Sequence, residues 1–218
     1  MRLTGILRGA WLWGLFTSGM AAAAPQTYVY AVEHPTYGNI GSYTETIDKD
    51  RDVTRISSVL RVVVKVIGIV VHREDASATE LWHGARLASM QTVAKVNGVR
   101  MEVSGAMDRN AFLVTSATGT QTAPAEVAPS DPWMLKGIGH GVIVSTRSGL
   151  IENVNVTGGE DVALKIEGTS LATHHFRVDA SNQPDRFDIW LDGNGVPVKF
   201  RSREQGDPID FVLVSSGP

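Results

Sequence analysis

Six histidines, at positions 34, 72, 83, 140, 174 and 175, are the side chains best suited to chemistry near neutral pH. A neutral imidazole ligates metals, and one near its pKa moves protons. The spacing supports neither use. A helical zinc site needs His-Glu-x-x-His, and no such arrangement occurs. His174 and His175 are adjacent, so on a strand they point to opposite faces and cannot chelate one ion together. His174 runs in phase with Phe176 and Val178, which predicts a buried, satisfied histidine. Asp192-Gly-Asn-Gly195 has the opening of a calcium loop but lacks the closing Glu, so it reads as a hairpin turn. Asp185 with Asp188, and Glu160 with Asp161, could divide acid and base roles, but the pattern puts them in turns and on a charged face. There is no Gly-x-Ser-x-Gly nucleophile elbow, and Gly137-Ile-Gly-His-Gly141 lacks the third glycine of a dinucleotide loop. The expectation is no catalytic residue, no metal site and no cofactor. An enzyme stays as a third reading, to be revived by a pocket in which His and acids converge from distant strands.

The elements that must carry these residues are strands. Tyr28–Glu33 and Ile40–Ile47 are rich in β-branched and aromatic residues and are separated by turn residues. Over Arg55–Val71 apolar residues alternate: Ile56, Leu60, Val62, Val64, Val66 and Val70 share one face, while Arg61 and Lys65 lie on the other. This predicts one long strand bent at Gly68. Glu80–Met90 and Gln91–Val96 continue the series, and Asn97-Gly98 between valines predicts a two-residue hairpin. Val99–Val103 and Ala111–Thr115 follow. Thr118–Pro132, with Pro124, Pro129 and Pro132, reads as a loop. A short helical turn is expected around Trp133, then strands at Val142–Ser145, Leu150–Val156, Leu164–Glu167 and His174–Val178.

Phe187, Ile189, Val198, Phe200, Phe211 and Leu213 form the apolar face of the last three strands. They are the candidate lining of an apolar or lipid-like ligand site, or equally the filling of a dry core. The opposite face carries Asp188, Lys199, Arg201, Arg203 and Asp210 and reads as solvated, with Trp190 placed to stack on Arg201. Pattern alone predicts a mostly β chain: a single curved antiparallel sheet, a half-barrel or open barrel, with a short helix or loop segment.

Asp131-Pro-Trp133, Thr146-Arg-Ser-Gly149, Asp188-Ile-Trp-Leu-Asp-Gly-Asn-Gly195, Val198-Lys-Phe200 and Ile209-Asp-Phe-Val-Leu213 occur in this order. Together they resemble uncharacterised exported bacterial proteins of a domain-of-unknown-function family. These are similar in turn to the half-barrel proteins that carry lipoproteins across the periplasm. The resemblance implies a curved antiparallel sheet wrapped round a core or groove, and it implies no catalytic residues.

Residues 1–24 read as a secretory signal: Arg2 and Arg8, a short apolar stretch through Phe16, then Ala21-Ala-Ala-Ala24 before Pro25. That leaves residues 25–218 as a single β domain, expected in the periplasm or secreted. The apolar stretch Val59–Val71 is interrupted by Arg61 and Lys65, so no transmembrane segment is expected after the signal. A formal charge of −3, more acidic still without Arg2 and Arg8, offers no electrostatic footprint for nucleic acid. With no cysteine, disulfide staples and thiol chemistry are excluded. The leading functional reading is a non-enzymatic binding or carrier module for an apolar or lipid-like ligand. The alternative is an envelope interaction or assembly-accessory protein that meets a protein partner through sheet edges and the Pro-rich loop.

Overall fold

The computed structural model describes residues 24–133, 135, 141–166, 168–181, 186–203 and 206–218. Residues 1–23 of the expected signal, the glycine-rich stretch up to His140, and Asp185 lie outside the described residues.

The chain runs as a meander because turn residues interrupt period-two sequence at short intervals. The first eight strands are β1 (Gln26–His34), β2 (Gly38–Asp50), β3 (Val53–Val66), β4 (Ile69–His83), β5 (Arg86–Val96), β6 (Val99–Asp108), β7 (Ala111–Ser116) and β8 (Gly119–Pro124). The rest are β9 (Ala128–Pro129), β10 (Val142–Val144), β11 (Ile151–Ile166), β12 (Thr169–Ala180), β13 (Arg186–Leu191), β14 (Pro197–Arg203) and β15 (Ile209–Gly217). They form one unclosed sheet in the order β8-β7-β6-β5-β4-β3-β2-β1-β15-β14-β13-β12-β11-β10-β9. The first and last strands therefore pair in the middle of the sheet. The short segment between Pro124 and Ala128 links its two ends, and Val127 N–H donates to the Pro124 carbonyl there at 3.3 Å. Irregular register in β1, β3, β4, β11 and β13 adds twist to the strands.

Curvature brings the sheet's ends together over a shared core. Phe112, Val114 and Ala123 from β7 and β8 pack with Val142 and Val144 from β10. A fully buried Val or Phe side chain contributes about 1.5–3 kcal/mol relative to exposure. A second cluster joins Ile143, Val178, Phe187, Ile189 and Phe200, and a third joins Tyr30, Val32, Tyr43, Val62 and Val64.

Several strand expectations are corrected. Arg55–Val71 is not one bent strand but most of a hairpin, because Ile67 and Gly68 both take left-handed backbone (φ 49° and 79°) and reverse the chain. Glu80–Met90 is likewise split, by a turn at Gly84-Ala85. The loop expected at Thr118–Pro132 contains β8 and β9. Conversely, the two strands expected at 150–156 and 164–167 are one strand, β11. Gly158 and Gly159 (φ 109° and 96°) carry it through a bulge, and a Cβ on Gly158 would sit 2.4 Å from the His175 carbonyl oxygen. Glu160 and Asp161 are thus strand residues, not turn residues.

The charged face is also less solvated than its composition suggests. Asp188 is only 5% exposed, because His175 Nε2 (3.0 Å), Arg177 (3.5 Å) and Arg203 (4.0 Å) close over it. His175 stacks on Trp190 with ring centroids 4.6 Å apart. Lys199 Nζ and Arg201 Cζ stand 5.4 and 6.0 Å from the same ring. His175 is therefore the enclosed histidine of the pair. His174, expected to be buried, is half exposed and faces Asp161 at 2.8 Å. His174 sits at the end of the β12–β13 ladder, paired with Leu191, and beside the bulge at Gly158–Glu160.

Candidate functional site

The curved sheet encloses a cavity of about 510 Å³. Small residues make the room. Ala76, Ala78 and Ala94 line it from β4 and β5, where larger side chains would fill the interior. Leu60, Val62 and Val64 line it from the neighbouring strand β3, and Phe187, Phe200 and Phe211 from β13, β14 and β15. Phe200 stacks on Phe187 at 5.7 Å and meets Phe211 edge-on at 5.6 Å, so the three rings form one wall. Of the six expected lining residues, these three phenylalanines reach the cavity. Ile189 packs with Phe187 and Phe200 in a core cluster, Leu213 packs against the cluster around Tyr30 and Tyr43, and Val198 is buried away from the cavity. The cavity is therefore apolar, but only one of its walls is the one the last three strands suggested.

The cavity has a rim and a floor. His72 and Glu80 both line it and lie eight residues apart on β4, which is about 26 Å of strand. At the His72 end the lining includes exposed Tyr37, Val71, Arg147 and Asp207, so the cavity opens there. His72 and Arg147 both approach Glu74 Oε2 (3.6 and 3.4 Å), and His34 lies 3.7 Å from Asp207.

At the other end are acids that the sequence pattern did not single out. Glu80 and Asp131 line both this cavity and a second one of about 170 Å³, which Trp82 and Trp133 also line. The two carboxyls are hydrogen-bonded to each other. Burial raises the Glu80 pKa well above the usual carboxyl range, and the Asp131 charge and hydrogen bond raise it further. The Trp82 indole N–H donates to Glu80 at 2.8 Å and partly opposes the rise. Asp131 also accepts the Trp133 backbone N–H at 2.6 Å. Nearby, the Tyr43 hydroxyl donates to Glu45 at 2.5 Å. Burial, then the Glu45 charge, pushes both Tyr43 and Tyr30 well above the ordinary phenol value. Tyr30 donates to the Pro197 carbonyl at the start of β14 at 3.0 Å, and Trp133 packs on Tyr28 at 4.9 Å, which holds the loop carrying Asp131 against β1.

A usable signal for these acids was present. Glu80 is in phase with Ala76, Ala78 and Trp82, and Glu45 with Tyr43 and Ile47. An acid in the apolar phase of a strand is an inward acid. Histidine and acids thus line one cavity: His72 lies beside Glu74 and His34 beside Asp207 at the mouth, while the Glu80–Asp131 pair stands a strand's length from His72, beyond proton transfer with it. Among the described residues no three His, Asp or Glu side chains are grouped to hold a metal ion.

An almost purely stranded, unclosed sheet rolled around an internal cavity is an open-barrel protein. The chain belongs to the family described as Domain of unknown function (DUF6134), which matches residues 37–214. Its fold is also similar to a crystal structure of a beta-barrel-like protein of domain of unknown function DUF1849 from Brucella abortus. The two share 10% identity with a TM-score of 0.65, over 88% of this chain and 96% of that one. No curated protein matches the chain.

Proposed function

We propose that this is an exported, non-enzymatic binding or carrier module for an apolar or lipid-like ligand. One observation carries the reading: the cavity of about 510 Å³ walled by Phe187, Phe200, Phe211 and the β3 valines. That volume lies within the range of small-molecule sites, about 300–1,000 Å³. Its length along β4 suits an extended chain better than a compact ring system. The ligand is amphipathic in this reading, because the walls are apolar while His72, Glu74 and Arg147 stand at the mouth.

Native mass spectrometry of protein from its host is expected to show a bound mass. Ala78→Trp, which fills the cavity, is expected to abolish that mass while the protein still melts cooperatively. A clean apo mass, with no change in melting temperature on adding a lipid extract, would end the carrier reading. Export rests on residues 1–24 and is tested separately: the protein recovered outside the cytoplasm is expected to begin at Pro25, and an intact Met1 would refute cleavage there. The alternative, a partner met through the Pro-rich loop, loses support from burial. Ala125, Val127, Ala128, Pro129 and Pro132 all face inward rather than toward a partner.

A further inference from the structure

The β3–β4 hairpin stands off the sheet. β2 pairs with β3 only up to Val62, and β5 pairs with β4 only from Glu74 onward. Arg73, at the base, exchanges hydrogen bonds with Asn97 (2.9 and 2.8 Å), while residues from Val64 to His72 pair with each other alone. They form a two-stranded ribbon beyond the rim, and its tip is apolar. Ile67 is 96% exposed and Ile69 69%, and Val66, Val70 and Val71 are exposed as well. Ile69, Val70 and Val71 are consecutive, and successive strand residues point to opposite faces, so the tip is apolar on both faces. Val99, at the adjoining β5–β6 turn, is exposed too.

The turn itself is chosen against folding. Ile67-Gly68 and Asn97-Gly98 have the same left-handed pair of residues, with φ of 49° at both Ile67 and Asn97. Asn tolerates that conformation; a β-branched residue is an outlier there. Ile67 is thus unfavourable for its backbone and for its exposure together, and no packing contact compensates either. Strain held at an exposed position points to use outside the fold.

Two observations say what meets the tip. The first is charge: Lys65 and Arg100 adjoin Val66 and Val99, Arg73 lies two residues from Val71 and Lys95 four from Val99, while Asp75 and Glu102, the partners of Arg73 and Arg100, lie two residues further back than those arginines. An apolar tip with a cationic collar matches the boundary between acyl chains and anionic headgroups. The second is shape. A narrow, convex ribbon apolar on both faces is surrounded fully by lipid, whereas a flat protein surface covers one face. At its base, Val64, Val71 and His72 line the cavity next to its mouth.

We propose that the β3–β4 ribbon is a lipid-surface docking element: Ile67, Ile69 and Val70 enter the acyl boundary of a bilayer, which sets the cavity mouth on the membrane. The docking step stands without the carrier reading; the use made of it rests on that reading.

The test is flotation of the protein with vesicles of mixed phosphatidylethanolamine and phosphatidylglycerol. The parent is expected to float, less so at high salt. Ile67→Asn with Ile69→Thr is expected to weaken partitioning about tenfold or more, since both remove apolar surface from the acyl boundary. Ile67→Asn alone installs the residue that the neighbouring turn uses, so its melting temperature is expected to stay level or rise, which separates lost docking from lost folding. Equal flotation of parent and double variant, or no flotation of the parent, overturns the proposal. So does concentration-dependent self-association by the parent that the double variant loses while neither binds vesicles. Binding of a monomeric fluorescent fatty acid without vesicles is expected to be the same in parent and double variant. Its absence from both would defeat the carrier reading and leave docking to be judged by flotation.

Discussion

Glu80 and Asp210 are both strand carboxyls withdrawn from water, and their protons are held in opposite ways. Glu80 faces inward, and burial followed by its neighbour Asp131 raises its pKa. For Asp210, on the outer face, burial also pulls upward, but hydrogen bonds from Arg201 and Lys199 and their charges outweigh it and hold the pKa below the usual value. Arg201 grips Asp210 through two nitrogens, at 2.5 and 2.7 Å, and Lys199 Nζ adds a third contact at 2.8 Å. Burial acts the same way on both groups, so the partners decide. Strands β14 and β15 place cations opposite Asp210, whereas the interior supplies Glu80 with a second acid and an indole.

The sharpest way to break this contrast is to neutralise each acid. Asp210→Ala leaves Arg201 and Lys199 partly buried without their acceptor. It is expected to cost about 2–3 kcal/mol by denaturant unfolding, below the fully buried range because the site is partly exposed. Glu80→Gln keeps a donor toward Asp131 and an acceptor for Trp82, and is expected to stay within about 1 kcal/mol of the parent at neutral pH. Equal losses would mean that Glu80 is ionised and that the contrast is wrong.

Next in size is the pH dependence. Asp210, lowered in the fold, stabilises above its unfolded pKa, and that stability is lost as pH falls through its folded value. Glu80, raised in the fold, stabilises below its unfolded pKa, and that stability is lost as pH rises through its folded value. Unfolding midpoints measured across pH should therefore flatten on the acid side in Asp210→Asn and on the alkaline side in Glu80→Gln. The smallest effect concerns the cover over the outer site. Trp190→Leu removes the stack on His175 and the ring beneath Lys199 and Arg201, and is expected to cost about 1 kcal/mol. A loss several times larger would show that Trp190 is needed for packing on the outer face as well.

Legibility followed how local each signal is. Asn97-Gly98 announced its hairpin because both residues accept left-handed backbone, whereas Ile67 concealed the same turn because a β-branched residue there contradicts the rule. The phase of Phe187, Phe200 and Phe211 was readable, and all three reach the cavity. Ile189, Leu213 and Val198 share that phase but meet neighbouring side chains instead, which alternation along one strand does not reveal. The acids at the cavity floor were missed because a carboxylate on a strand reads as solvent-facing until its phase is compared with Trp82 or Tyr43.

By itself the sequence determined an all-strand chain, its hairpin punctuation and most of its apolar faces, because period-two alternation and turn chemistry act between neighbouring residues. Only the tertiary structure decided how far the sheet rolls, that alanines on β4 and β5 leave a cavity facing three phenylalanines, and which carboxyl has its pKa raised and which lowered. Those depend on residues far apart in the chain, whose shared dielectric and packing exist only once the sheet has curved.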